Sequence, residues 1–242
     1  MRDIFLADAH LRHPQDANYR HLLTFLRSQR GELGTLYLLG DIFEFWIGYR
    51  HCVFAPYIPL LAQLRQLRQA GTRIVYVEGN HDFHLGPYFE QELQCRILPD
   101  GGPMELNGMR IHLSHGDLIN DRDNGYLRLR RFLRSRFLLG LARLLPPDWA
   151  WQVAAWGSTL SRKKRPAKHD PASHRRLLEN HARNHFQTGC HAVISAHYHL
   201  PLYQNMEEGK VLIALGDWIS QYSYAVFEDG RFSLKTFSPE ES

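Results

Sequence analysis

Eight residues that follow hydrophobic runs carry the chemistry of a metal centre: Asp8, His10, Asp41, Asn80, His81, His115, His197 and His199. Imidazole nitrogen mixed with carboxylate and amide oxygen suits Mn²⁺, Fe²⁺, Co²⁺ or Zn²⁺. The set exceeds the three or four ligands of one ion and matches two ions ~3.5–4 Å apart that share one carboxylate. Asp41, with two oxygens and a place after the second run, is the natural bridge. Two close cations clamp phosphate oxygens and turn a bound water into hydroxide near neutral pH, so the expected chemistry is hydrolysis of a phosphate ester or anhydride. Asp-x-His alone is common by chance, and Gly40-Asp41 alone is an ordinary turn. In conjunction with Gly79-Asn80-His81-Asp82, His115-Gly116 and His197-x-His199 they form a constellation that accident does not supply. His13, His51, His84, His112, His169, His174, His181, His185 and His191 lack such a setting and are expected on the surface or in packing.

These clusters need elements to bring them together. Asp3–Ala7, Thr35–Leu39, Arg73–Val77, Met109–Ser114 and His191–Ser195 are short apolar runs closed by polar residues, as buried parallel strands are. Helical spacing over Asn18–Arg30 and Pro59–Ala70 separates the first three, and α/β sheets place ligands beyond the carboxyl ends of their strands. Val211–Ala214, Tyr224–Phe227 and Arg231–Thr236 predict further strands, the last two joined by a turn at Asp229-Gly230. A long helical insertion, Tyr126–Leu145, Asp148–Leu160 and Ala172–Gln187, exceeds what a sheet requires and is expected to cap the site. The nearest thing to a hinge is the basic stretch Ser161–Pro171. The economical organisation is one domain over residues 1–242 with a cap insertion at 122–188.

The chain of 242 residues is 44% hydrophobic and 22% charged, which excludes disorder, collagen and coiled coil. Cys52, Cys95 and Cys190 have no C-x-x-C spacing, which argues against a disulfide framework or a cysteine zinc site and for a reducing compartment. No run reaches the ~18 apolar residues of a spanning helix, and Ile4–Leu6 is too short for a signal peptide. The net charge of +4 is unevenly spread: between Arg122 and Lys168 a dense set of arginines and lysines meets only Asp123 and Asp148.

Taken in order, Asp8-x-His10, Gly40-Asp41-x-x-Glu44, Gly79-Asn80-His81-Asp82, His115 and His197-x-His199 resemble the calcineurin-like metallophosphoesterase superfamily over most of the chain. The resemblance implies an α/β fold, a two-sheet β-sandwich flanked by helices. It implies one metal held by Asp8, His10, Asp41 and His199, and a second by Asp41, Asn80, His115 and His197. It also implies a metal-bridging hydroxide as nucleophile, with His81 the catalytic residue that assists the leaving group, oriented by a carboxylate such as Asp82 or Asp8.

Leu39-Gly-Asp-Ile-Phe-Glu-Phe-Trp-Ile-Gly48, His115-Gly-Asp-Leu-Ile-Asn-Asp-Arg-Asp-Asn-Gly-Tyr126 and Leu215-Gly-Asp-Trp218 are similar to the UDP-2,3-diacylglucosamine pyrophosphatases of lipid A biosynthesis. That family implies a Mn²⁺-dependent hydrolase, cytoplasmic and peripheral on the inner membrane, that yields UMP and 2,3-diacylglucosamine 1-phosphate and holds acyl chains in its cap. It implies substrate contacts from Asn80, Asp123 and Tyr126, with Ser161, Lys164 and Lys168 as further candidates. Leu127, Phe132, Leu133, Phe137, Leu138, Leu141, Leu144, Leu145, Trp149, Trp151 and Trp156, interleaved with arginines, suit a lipid surface; helix-pair packing is the ordinary alternative for any one of them. Two positions depart from the pattern. His81 stands where those enzymes carry arginine, and Ala196 replaces a glycine, which would cost ~1 kcal/mol if the site required a positive φ.

Two other functions compete. A generic phosphodiesterase, nuclease or nucleotide pyrophosphatase of the same superfamily would use the same metals and read the basic segment as a phosphate groove. Apolar interleaving favours lipid over nucleic acid. A non-catalytic scaffold has no need of seven metal ligands.

Overall fold

The computed structural model describes residues 1–152 and 170–239. Two sheets stack face to face. The first has the order β11-β10-β1-β2-β3-β4, with β1 (Arg2–Leu6), β2 (Leu33–Leu38), β3 (Arg73–Val77) and β4 (Arg96–Leu98) parallel, and β10 (Ser223–Glu228) and β11 (Arg231–Thr236) antiparallel at one side. The second has the order β5-β6-β7-β9-β8. In it β6 (Met109–Leu113), β7 (Ala192–Ser195) and β9 (Val211–Leu215) are parallel, and β5 (Gly102–Leu106) and β8 (Pro201–Asn205) are antiparallel edges.

Successive side chains of a strand point to opposite faces, and here both faces are covered, so the strands read as unbroken apolar runs. Phe5, Tyr37, Leu39, Val75 and Val77 meet Ile111, Leu113, Ile194, Ile213 and Leu215 between the sheets. Ile4, Leu6, Leu36, Leu38, Ile74 and Tyr76 face the other way, onto α1 (Ala17–Ser28) and α2 (Ile58–Gln69). On the far side of the second sheet, Val193, Leu212 and Ala214 pack on Leu178, Ala182 and Phe186 of α5 (Pro171–Gln187). The sequence pattern misses β4, β5 and β8. The first has three residues, the second contains Gly102 and Pro103, and the third begins with Pro201 at an edge, where burial writes only a weak pattern.

Between β6 and β7 the chain leaves the sheet. The single helix expected over Tyr126–Leu145 is instead two, α3 (Asn124–Leu133) and α4 (Arg136–Leu144), broken at Arg134-Ser135. Ser135 is the reason, since its side chain accepts from the Leu138 N–H at 3.2 Å and restarts the helix as an N-cap. A further helical stretch begins at Pro147; most of the predicted Asp148–Leu160 helix and of the Ser161–Pro171 hinge, with Trp156, Ser161, Lys164 and Lys168, lies outside the described residues. The insertion is tied back to the strand-end loops. Arg143 donates to the Gly48 carbonyl at 2.8 Å, Tyr49 Oη donates to the carbonyls of Ala142 and Leu145, and a His84 ring nitrogen meets the Arg134 carbonyl at 3.1 Å.

The return helix α5 brings His181 and His185 against His112 of β6, whose neighbours Ile111 and Leu113 point into the inter-sheet core. Burial and mutual repulsion push His112 down to about 3 and His181 to about 4, from an ordinary value near 6.5. A histidine held neutral in the fold favours folding fully above pH ~6.5 and loses that contribution as the pH falls toward its native pKa. Wild type should therefore lose more thermal stability between pH 6.5 and 4 than His181→Leu, read as the pH dependence of Tm; parallel curves would refute this assignment.

Candidate metal centre at the strand ends

The five strand-end loops converge on one place. Asp8 and His10 follow β1, Asp41 follows β2, Asn80 and His81 follow β3, His115 follows β6, and His197 and His199 follow β7. Their donor atoms fall into adjoining groups: Asp8 with His10 and His199, Asp41 with His115 and His197, and His10 with Glu44 and His81. Asp41 lies between the first two, its Oδ2 at 3.6 Å from His10 Nε2 and 3.5 Å from His115 Nε2. Asn80 Oδ1 joins the second group at 3.2 Å from His115 Nε2. All seven sequence-predicted ligand positions are thus brought together.

The backbone here is held in an unfavourable conformation. Asp8, His10, Asp41, His197 and His199 all have left-handed φ, at 50°, 44°, 54°, 72° and 51°. Each costs on the order of 1 kcal/mol for a residue with a Cβ, and such strain collects at functional sites. Ala196 is not among the positive-φ residues, so replacing glycine there brings no such cost; the turn is taken one residue later, at His197. Gly40 and Gly79 allow the β2 and β3 loops to touch: a Cβ on Gly40 would sit 2.6 Å from Gly79 Cα, and one on Gly79 would sit 2.2 Å from Asp41 Oδ1.

Outer partners aim three of the rings. His115 Nδ1 meets the Leu39 carbonyl at 2.8 Å, which places the proton on Nδ1 and leaves Nε2 facing Asp41. His199 Nδ1 faces Asp217 at 3.5 Å while its Nε2 faces Asp8 at 3.5 Å, and His10 Nδ1 faces Glu44 at 3.7 Å. Asp217 is itself fixed by the N–H groups of Ile219, Ser220 and Gln221. The motif Leu215-Gly-Asp-Trp218 marks it in the sequence, but no pattern assigns it to His199, which it meets only in the folded sheet.

His81 requires a correction. The sequence reading gives its orientation to Asp82 or Asp8. In the structure His81 Nδ1 meets the Glu44 carbonyl at 2.8 Å, and Asp82 turns away to accept from the N–H groups of Asp41, Ile42, Phe43 and Gly79 and from the Tyr76 hydroxyl. A carbonyl accepts, so Nδ1 bears the proton and Nε2 is the free acid–base atom.

Electrostatics show what the site demands. Burial would raise the Asp41 carboxyl, yet His115, His81 and His10 around it hold it well below the usual range. Burial likewise opposes charge on His115 and His199, but carboxylates draw both up to about 10, Asp41 for the first and Asp217 with Asp8 for the second. His197, buried beside His115, is pushed down to about 4. Asp8 Oδ1 is buried and accepts no hydrogen bond. Buried carboxylates calling for positive charge, an orphaned carboxylate oxygen and imidazoles with their outer nitrogens engaged are a donor set that divalent cations fit.

The remaining predicted contacts are placed as follows. Asp123 caps α3, accepting from the Tyr126 N–H at 2.9 Å, and the Tyr126 hydroxyl donates to Asp117 at 2.8 Å. Asp117, which belongs to the His115–Tyr126 motif but was given no role, also takes Arg130 Nε at 2.6 Å. Arg134 donates to Glu78 at 2.9 Å and to the Gly79 carbonyl at 2.7 Å, beside Asn80. Arg130 and Arg134 are therefore spent on carboxylates, and the expectation that they face lipid headgroups is corrected; Arg128, Arg131 and Arg136 remain exposed.

The calcineurin-like phosphoesterase family matches residues 1–201. A UDP-2,3-diacylglucosamine hydrolase of Pseudomonas savastanoi pv. phaseolicola is 32% identical over 97% of this chain and 95% of its own. One of Pseudomonas aeruginosa is 33% identical over 91% and 92%. Among solved structures, a dimetal phosphatase from Danio rerio has the same fold, with TM-score 0.50 and 17% identity over 97% of this chain and 95% of that one. By its strand-end loops and by this match, the chain belongs to the calcineurin-like phosphoesterase family.

Proposed function

We propose that the protein is a metal-dependent hydrolase that cleaves the pyrophosphate of UDP-2,3-diacylglucosamine to UMP and 2,3-diacylglucosamine 1-phosphate. The observation that carries this reading is the likeness to the UDP-2,3-diacylglucosamine hydrolases along nearly the whole chain, the helices between β6 and β7 included. Asp8, His10, Asp41 and His199 would hold one divalent ion, and Asp41, Asn80, His115 and His197 the other; the mixed donors suit Mn²⁺, Fe²⁺, Co²⁺ or Zn²⁺, and of these we take Mn²⁺, which the resemblance to the lipid A pyrophosphatases implies. Two such ions neutralise phosphoryl oxygens and supply hydroxide near neutral pH. His81, its Nδ1–H fixed on the Glu44 carbonyl, would act in its doubly protonated form and give the Nε2 proton to the leaving phosphate.

The helices support an amphiphilic, anionic substrate. A cleft of about 890 Å³ is lined by Leu118, Leu127 and Leu139 and by Glu78, Glu90 and Asp100; Arg130 and Arg134 pair with Asp100 and Glu78, and the exposed Arg131 and Arg136 stand on its wall. Further out, Phe137 and Leu144 are 77% and 82% exposed, with Phe132 and Trp149 also in water. We take this exposed apolar rim, with the arginines beside it, to rest on a membrane surface.

Asp41→Asn should lower release of UMP by on the order of 10³-fold or more while leaving the circular dichroism unchanged, because Asp41 belongs to both proposed ligand sets. Wild-type rates in that variant would end the dinuclear reading. Asp217→Asn should cost roughly 10–100-fold in metal affinity, measured by activity against metal concentration, since it touches His199 and no ion. The double variant Phe132→Glu, Phe137→Glu should lose sedimentation with anionic lipid vesicles and keep hydrolysis of a small soluble diester; equal loss of both would place the rim in the fold rather than at the membrane. A protein that cleaves the soluble diester but releases no UMP from the lipid substrate would keep the metals and retire the proposed substrate.

A further inference from the structure

Three of the histidines without a motif meet on the far side of the second sheet. His181 and His185, one turn apart, lie on one side of α5, and His112 reaches them from β6. Ring centroids are 3.5 Å apart for His112 and His185, 4.5 Å for His181 and His185, and 5.5 Å for His112 and His181, and a ring nitrogen from each lies within 4.8 Å of the other two. The cluster shares no residue with the groups at the strand ends.

We propose that His112, His181 and His185 form a second metal site that takes Zn²⁺ or a similar borderline transition-metal ion and staples α5 to β6. Three imidazoles with no carboxylate select Zn²⁺, Cu²⁺, Ni²⁺ or Co²⁺ over the oxygen-seeking Mn²⁺ and Mg²⁺. Two ligands one helical turn apart and a third from a neighbouring element are a recurrent zinc geometry. The His181 Nε2 is buried without a hydrogen-bond partner, and a buried nitrogen in that state asks for an occupant. All three rings are pushed toward the neutral form, which is the ligand form, so no proton must leave at neutral pH. The His112 and His185 rings stack with planes 15° apart, so shared coordination would require one of them to turn about its Cβ–Cγ bond, and His185 is only half-buried. A solvent molecule would complete four-coordination.

The site joins the helix that returns from the insertion to the strand that leads into His115, without touching the chemistry. The test uses the whole chain loaded with Mn²⁺, then titrated with Zn²⁺ and freed of excess metal by gel filtration. Total metal per chain should be one equivalent higher in wild type than in His181→Gln, His185→Asn, whatever exchange occurs at the strand ends. Free Zn²⁺ a hundredfold above its Kd should raise the wild-type Tm by roughly 5–10 °C and leave that of the variant unmoved. If the double variant does not fold, ¹⁵N spectra of wild-type imidazoles decide: Zn²⁺ added to protein loaded with diamagnetic Mg²⁺ should shift the His112, His181 and His185 ring nitrogens. Equal metal content in wild type and folded variant, or unmoved ring nitrogens, overturns the proposal.

Discussion

The Asp82 carboxylate holds the site together. It accepts the N–H groups of Asp41, Ile42 and Phe43 at 2.8, 2.7 and 3.2 Å, of Gly79 at 3.0 Å, and the Tyr76 hydroxyl at 2.6 Å. One side chain thereby binds the loop after β2 to the loop after β3, and these loops carry Asp41, Asn80 and His81. Burial and the neighbouring Asp41 push the Asp82 carboxyl up. All five partners are donors, however, so the arrangement is built for the ionised form. Removing it would leave five buried donors unpaired, each with a desolvation cost, and would release the turn that aims Asp41.

That turn is strained, as are those at Asp8, His10, His197 and His199. Left-handed backbone at five candidate ligands persists because packed neighbours over-determine it. The Asp8 N–H is held by the Gly40 carbonyl, the His10 N–H by the Asp41 carbonyl, and the His197 N–H by the Asp8 carboxylate. The loops therefore fix one another across the junction of the two sheets. Neither sheet alone holds the whole donor set: Asp8, His10, Asp41 and Asn80 come from the first, and His115, His197 and His199 from the second. Apolar packing between the sheets is what sets the distance between the two groups of ligands.

The insertion divides its charges and its apolar surface between two tasks. Arg130 and Arg134 face inward on Asp117, Asp100 and Glu78 and dock α3 beside the strand ends. Trp151 packs on Phe54 and Tyr57, whereas Phe132, Phe137, Leu141 and Leu144 stay in water. A row of arginines and aromatics in sequence thus becomes a tethered inner face and an exposed amphipathic rim.

By itself the sequence marked the candidate strand-end ligands and an α/β chain of buried parallel strands, while the two-sheet sandwich entered through the family resemblance. Fully buried parallel strands must be written as apolar runs, and ligand chemistry tolerates few substitutes, so both leave marks readable in one dimension. The basic helical stretch carries no strand pattern, and α3, α4 and α5 lie between β6 and β7. Tertiary structure alone decided the rest. Edge strands β4, β5 and β8 bury too little to be patterned; the break at Ser135 depends on a single cap; and the partners of Asp82, His81 and Asp217 lie across loops that only folding brings together. The same holds for His112 with His181 and His185: about seventy residues separate the first from the other two, and only the packing of α5 on the second sheet makes them a cluster.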